Sequence, residues 1–580
     1  TQATMANCFV MPQIEDSIDG IFEAVHKAAK TLRAGGGIGM DFSTLRPRGA
    51  AAKGINGTAS GPVSFMKIWD ATCSTIMSAG NRRGAMMGVL RCDHPDILEF
   101  INAKREKGNG LTNFNISVAL TDDFMSYVSA NMPHETAIFD ALVDACYESA
   151  EPGALFIDTI NKKNKLNNKE TIYATNPCGE QPLPPNGACI LGSINLAKLA
   201  KDRSMGSLRE IARIATRFLD NVIDKSSYPL LEQESEAKTK RRIGLGVMGY
   251  ASMLAMGGIK YGSDDALDIL GDVLERIADG ASEESDGKNS HLTCIAPTGT
   301  TAMFAGNVSS GIEPIFAHSY TRNIKQPDGS LEQVTVDDYS VKFGVKDWTT
   351  VNDLSIDDHI SVIDVAQHRV DGAVSKTINC HIDTHKGNFR EAYIDAWCRG
   401  LKGITLYRPN DVTGEVLVSE KPKKTIVDLK PRPGVVSGAT YKIKTPTSDH
   451  AMYVTINDLD GKPYEIFFNT KDVTSYQWVS ALSRTISAIF RRANDSSFVS
   501  EELKAIFDPS GGWWQDGKYC PGLVAAIGNI IEGHISVDKP LEEVDTAKSQ
   551  GVQCPKCGNK TLIKSEGCEN CLNCGYSKCG

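Results

Sequence analysis

Residues 175–189 read TNPCGEQPLPPNGAC, and the fold turns on what this stretch is for. Structural cysteines sit in apolar runs, whereas Cys178 stands between Pro177 and Gly179. Proline fixes its own φ and glycine reaches conformations other residues avoid, so the thiol rides on a stiff turn. Asn176 and Glu180 lie two residues to either side, and Cys189 follows eleven residues later. A sulfur held between an amide and a carboxylate at a loop tip is placed for chemistry rather than for packing.

Around this stretch lies a chain of 580 residues, 41% hydrophobic and 23% charged, long enough for several domains with a large core. No apolar run has the length to cross a bilayer and no secretory signal is visible. A net charge of −9 counts against a nucleic-acid backbone as direct partner. Ten of the sixteen cysteines are scattered and six crowd into the last 27 residues. Scattered thiols without a signal point to a reducing, cytoplasmic setting. The chain opens at Thr1 inside sequence of folded character, so its natural N-terminal part is expected to be missing or processed away.

Helix and strand signals alternate over residues 1–411, which favours an α/β architecture. Ile18, Ile21, Phe22, Val25, Ala29 and Leu32 recur at helical spacing before Gly35-Gly36-Gly37. Ser207 and Glu210 form a capping-box pattern, and Gly403–Tyr407 reads as a buried strand. Residues 412–440 form a basic, proline-bearing linker. A small α+β domain over 441–535 follows, with a hairpin at Asp460-Gly461 and an amphipathic helix carrying Trp478, Val479, Leu482, Ile486, Ile489 and Phe490. A second linker, 536–552, leads to a cysteine-rich segment at 553–580.

That segment contains CPKCG at 554–558 and CENCLNCGYSKC at 568–579. Cys554 and Cys557 with Cys568 and Cys571, or with Cys571 and Cys574, fit a tetrahedral structural zinc site. The first choice leaves Cys574 and Cys579 as a spare terminal dithiol. APTGTT at 296–301 is a hydroxyl-rich turn ahead of apolar residues; Pro297, Thr298, Gly299, Thr300 and Thr301 could hold phosphate at a helix start or simply cap it. AGGGIG at 34–39 lacks the spacing of a dinucleotide fingerprint.

NCFV at 7–10, GGGIGMDFSTLRPRGA at 35–50, NPCGE at 176–180, APTGT at 296–300 and GIEPIFA at 311–317, in this order, resemble ribonucleotide reductase. The small domain and cysteine ribbon resemble its adenosylcobalamin-dependent branch. The resemblance implies a ten-stranded α/β barrel with the 176–180 loop in its centre. It implies that Cys178 becomes a thiyl radical that takes the 3′-hydrogen of a ribonucleotide, with Glu180 as general base and Asn176 binding substrate hydroxyls. Cys8 and Cys189 would supply the electrons and become a disulfide, which Cys574 and Cys579 would reduce in exchange with thioredoxin or glutaredoxin. Gly37 and the 297–301 turn would bind substrate, a ribonucleoside diphosphate. Arg46, Asn109 and Asn113 would lie on loops through which dNTP or ATP effectors act in a homodimer. The iron-dependent branch uses adjacent tyrosines on the last strand; here Tyr407 stands alone, which favours adenosylcobalamin. His385 in DTHKG has its glycine one place early for the D-x-H-x-x-G cobalt-ligand motif and reads as a surface histidine. Two other readings stay open: an inactive, nucleotide-binding regulatory half of a split reductase, and a zinc-ribbon binding module.

Overall fold

The structure is a computed structural model that describes residues 1–580 except 1–2, 52–56, 77–83, 106–110, 326–330, 346–347, 411–417, 420–431, 447, 449, 472–475, 493–495, 497, 510, 516–517, 537–561, 566–567, 572–576 and 580. It divides into two compact units, Thr1–Glu420 and Lys421–Gly580.

The first unit is built on one nine-stranded sheet. Its order is Thr377–Asn379, Gly403–Tyr407, Gly153–Phe156, Phe114–Leu120, Met86–Arg91, Gly37–Asp41, Cys8–Val10, Ala188–Asn195 and Ile243–Met248. Neighbours run parallel except at two seams, Cys8–Val10 against Ala188–Asn195 and Gly403–Tyr407 against Gly153–Phe156. Two parallel sets therefore run opposite to one another. Cys8–Val10, Gly37–Asp41, Gly153–Phe156 and Ile243–Met248 are buried along their whole length, as expected for a sheet covered by helices.

The expected ten strands are corrected to nine regular ones among the described residues. Where a tenth would stand, residues 293–295 make isolated bridges, Leu245 to Thr293 on one side and Ile295 to Val374 on the other. Ile295 N donates to Ala373 O at 3.1 Å and Ser375 N to Ile295 O at 2.9 Å. This segment links the Ile243–Met248 edge to the chain that enters Thr377–Asn379.

Two local expectations also change. The helix Ile18–Arg33 buries Ile21, Ala24, Ala28 and Leu32, while Ile18 and Phe22 are more than half exposed. Its buried face is formed by small alanines together with Ile21 and Leu32. Ser207 caps nothing with its side chain, because a 3-10 turn over Met205–Ser207 already feeds the helix Leu208–Lys225.

In the second unit, Ser437–Ile443, Met452–Leu459 and Lys462–Asn469 form an antiparallel sheet. Asp460 and Gly461 have φ of 54° and 75°, as a tight hairpin turn requires. Arg432 binds the buried Glu465 from within the expected linker, and Ser437 already starts a strand there. In the helix Tyr476–Arg492, Ile486 and Phe490 enter the core, but Trp478 is 81% exposed. Leu562–Ser565, Cys568–Cys571 and Ser577–Cys579 make a three-stranded sheet whose register sets Cys568 opposite Cys579. Cys554, Cys557 and Cys574 lie outside the described residues, so the expected zinc ligands are only partly visible. No helix among the described residues is long and apolar enough to cross a membrane.

Candidate active site

The loop that carries Cys178 leaves the sheet on a two-residue stem, Ala174–Thr175 paired with Pro182–Leu183. Asn176 closes it: its N–H donates to Gln181 O at 3.1 Å, and its Oδ1 accepts from Gln181 N at 3.0 Å. Gly179 N donates to Asn176 O at 3.1 Å, with Gly179 at φ 85°. The tip is thus a glycine-dependent turn. Cys178 at that tip is exposed, while Asn176 and Glu180 are buried.

Glycine elsewhere makes room for the loop. A Cβ on Gly39 would lie 1.7 Å from Thr175 O, and one on Gly37 would lie 3.0 Å from Pro177 Cγ. Gly37, expected at the substrate, therefore lies beneath the loop. Asn115 Nδ2 donates to Pro177 O at 2.8 Å, and Ala373 N to Glu180 O at 2.8 Å.

Below the tip, Cys8 and Cys189 are register partners on antiparallel strands. Asn176 Nδ2 donates to Cys8 Sγ at 3.1 Å, and Cys8 Sγ donates to Glu180 Oε1 at 3.8 Å. Four of the five residues expected to act together are thus joined directly, and the fifth, Cys178, stands between Asn176 and Glu180 in the chain. Burial pushes the Cys8 pKa well up, and the Glu180 charge adds to it. Burial also raises the Cys189 pKa; Arg242 opposes this and Glu180 reinforces it. Both sulfurs are therefore held as protonated thiols.

Sequence reasoning missed a further thiol. Cys294, fully buried on the bridging segment 293–295, has its pKa raised by burial and then by Cys189 and Glu180. Gly244 leaves the space it occupies, since a Cβ there would sit 2.6 Å from Cys294 Sγ and 2.5 Å from Gln181 Nε2. No local signal marks Cys294, because its neighbours come from other strands.

The 297–301 turn opens the short helix Gly299–Phe304, with Thr298 at φ 48°. Thr298 Oγ1 accepts from Gly311 N at 2.8 Å, whereas Thr300 and Thr301 are exposed. Gly299 lines a cleft of about 440 Å³ together with Glu313, Phe316, Cys380, Tyr407 and Pro409. Small-molecule sites span about 300–1,000 Å³.

The other expected residues are held elsewhere. Arg46 is pinned by Asp16, with Nε donating to Oδ2 at 2.8 Å, and by Ala51 O at 2.9 Å. Asn113 is held by Asp70, its N–H donating to Oδ1 at 2.8 Å. Asn109 lies outside the described residues. His385 caps the helix Lys386–Cys398, its Nδ1 accepting from Gly387 N at 3.0 Å.

Known proteins agree with this architecture. The family profile "Ribonucleotide reductase, barrel domain" matches residues 6–137, 131–287 and 286–407, and "TSCPD domain" matches 422–535. A vitamin B12-dependent ribonucleoside-diphosphate reductase of Mycobacterium tuberculosis (strain CDC 1551 / Oshkosh) is 37% identical over 484 residues, 72% of this chain and 70% of its own. One of the same name from Thermoplasma acidophilum is 37% identical over 498 residues, 73% of this chain and 65% of its own. The class Id ribonucleotide reductase alpha subunit of Actinobacillus ureae shares the fold, with TM-score 0.60 and 21% identity over 71% of this chain and 85% of that one. With the barrel profile running through most of its length and relatives at this identity, the chain belongs to the ribonucleotide reductase family.

Proposed function

We propose that this chain reduces ribonucleoside diphosphates to 2′-deoxyribonucleoside diphosphates with adenosylcobalamin as radical source. The observation that carries the reading is the register pair Cys8 and Cys189, tied through Asn176 and Glu180 to the loop whose tip is Cys178.

Each residue has a task. Cys178, as a thiyl radical, takes the 3′-hydrogen of the ribose. Glu180 accepts the 3′-hydroxyl proton as general base. Asn176 binds the substrate hydroxyls and orients Cys8. The 2′-hydroxyl leaves as water, for which Cys8 and Cys189 give up two protons and two electrons and become a disulfide. Cys178 then returns the hydrogen to C3′. Pro297, Thr298, Gly299, Thr300 and Thr301 bind the diphosphate.

The residues fit the cofactor. Its reactive carbon needs open access to the thiol it activates, and Cys178 is exposed. The adenosyl group needs a hollow with stacking surface, which Phe316, Tyr407 and Pro409 offer in the cleft. When bound, adenosylcobalamin supplies the one-electron oxidation of the Cys178 thiol. We further assign Cys574 and Cys579 as the shuttle dithiol reloaded by thioredoxin or glutaredoxin, and Cys554, Cys557, Cys568 and Cys571 as structural zinc ligands. Arg46, Asn109 and Asn113 belong to the effector loops of a homodimer.

The test is anaerobic incubation with adenosylcobalamin, a ribonucleoside diphosphate and dithiothreitol, scored for deoxynucleotide. Product that depends on the cofactor supports the reading. No product from a folded chain with nucleotide bound would favour a regulatory half instead.

A further inference from the structure

In the segment GIEPIFA, 311–317, which walls the cleft, only Phe316 has been given a task above. Glu313 within it is fixed from behind. Lys376 Nζ donates to Glu313 Oε2 at 3.0 Å, and Thr377 N donates to Oε1 at 2.7 Å. The Lys376 side chain has 0% exposure, against 24% for Glu313. An ammonium has three protons and no lone pair. Lys376 finds three acceptors: Glu313 Oε2, His359 Nδ1 at 2.7 Å and Thr377 O at 3.3 Å. His359 is wholly buried, and burial together with the Lys376 charge pushes its pKa down to about 2. It therefore stays neutral and offers Nδ1 as acceptor. The Tyr261 ring lies 5.8 Å from the ammonium.

Such an arrangement is a poor way to stabilise a fold, because desolvating two charges commonly outweighs their attraction. What it achieves is one carboxylate, held rigidly, on a cleft wall that also includes Val308, Ile315 and Phe316. A carboxylate only accepts hydrogen bonds, and each oxygen keeps a lone pair beyond the one its protein donor uses. Lys376 already balances its charge, so a cation gains little there. Two adjacent neutral donors fit both oxygens.

We propose that Glu313 accepts the 2′- and 3′-hydroxyls of a nucleoside bound in this cleft, a role that rests on the nucleotide chemistry assigned above. Gly311, joined to Thr298, links the Glu313 segment to the diphosphate turn. The 3′-hydroxyl of the substrate gives its one proton to Glu180, so the diol left for Glu313 is that of the cofactor's adenosyl group, and binding measurements test this.

Equilibrium binding to the full chain is measured for cytidine diphosphate and its 2′,3′-dideoxy form, and for 5′-deoxyadenosine and its 2′,3′-dideoxy form. Glu313→Gln is expected to weaken the diol-bearing member of one pair about ten-fold or more, the size of a hydrogen bond to a charged acceptor. The dideoxy member should be unchanged, and the affected pair should be that of 5′-deoxyadenosine; loss confined to the cytidine pair overturns the assignment. Glu313→Gln leaves Lys376 without its counter-ion, so Glu313→Gln combined with Lys376→Met provides a second variant that buries no lone charge; it should show the same discrimination. Equal loss for both members of each pair, or no loss in either, overturns the role of Glu313. A wild-type chain that binds none of the four compounds overturns the nucleotide reading itself, and this role with it.

Discussion

Cys8 and Cys189 stand directly opposite each other on neighbouring antiparallel strands, at one of the two seams where the parallel halves of the sheet meet. Opposed residues on such strands have Cα atoms about 4.5–5.5 Å apart, within the roughly 4.4–6.8 Å a disulfide spans. The bond can therefore form without moving the backbone. In a Cys574→Ser, Cys579→Ser background, where no shuttle dithiol can take over the bond, peptide mapping after one anaerobic turnover without external thiol should find Cys8 joined to Cys189. Cys8→Ser or Cys189→Ser should end multiple turnover, and in the shuttle-less background a mapped bond to any other cysteine would remove the pair from its role.

Cys178→Ser should abolish deoxynucleotide formation and leave the fold intact. The residue is exposed at the loop tip and packs into no core, so the stability change should stay within about 0.5 kcal/mol. Thermal melting beside the product assay checks both halves, and substantial residual product would exclude Cys178 as the radical residue.

Gly39→Ala should be among the more damaging small substitutions in the sheet. The new methyl would press to 1.7 Å from Thr175 O, a backbone atom that cannot swing aside. Overpacking of this kind costs about 1–3 kcal/mol, and the displaced loop should lower kcat as well. Gly37→Ala meets only the Pro177 ring at 3.0 Å and should cost less. Urea unfolding of the two variants ranks them.

Lys402 makes stability depend on alkaline pH. Its ammonium donates to Asp371 O at 2.7 Å and Gly372 O at 2.6 Å, just before Ala373 grips Glu180. Burial lowers its pKa from 10.5 to about 8, against the pull of Asp371. Between those values the unfolded chain binds more protons than the folded one, so this contribution to stability grows as pH rises from about 8 to 10.5 and is lost on the way down. The urea unfolding free energy of wild type relative to Lys402→Met should rise over that window, by an amount on the order of a few kcal/mol. A flat difference would refute it.

The terminal ribbon separates two metal assignments. With zinc on Cys554, Cys557, Cys568 and Cys571, the double variant Cys574→Ser, Cys579→Ser should keep one zinc per chain yet fail to turn over with thioredoxin. Zinc lost from that variant would move a ligand to Cys574 or to Cys579, which the strand register sets opposite Cys568.

The sequence by itself determined the local chemistry. Asn176, Pro177, Cys178, Gly179 and Glu180 form a rigid turn because proline and glycine act on their own φ angles, and Asp460-Gly461 makes its hairpin for the same reason. Which side of a helix faces inward was less legible. Ile18 and Phe22 share the periodicity of Ile21 and Leu32, yet they are more than half exposed, while small Ala24 and Ala28 complete the buried face. Only the tertiary structure decided contacts between distant segments: Gly39 yielding to Thr175, Cys294 filling the space beside Gly244, and Lys376 with His359 fixing Glu313. Those effects arise from burial and close approach, which exist only once strands far apart in the chain share one sheet.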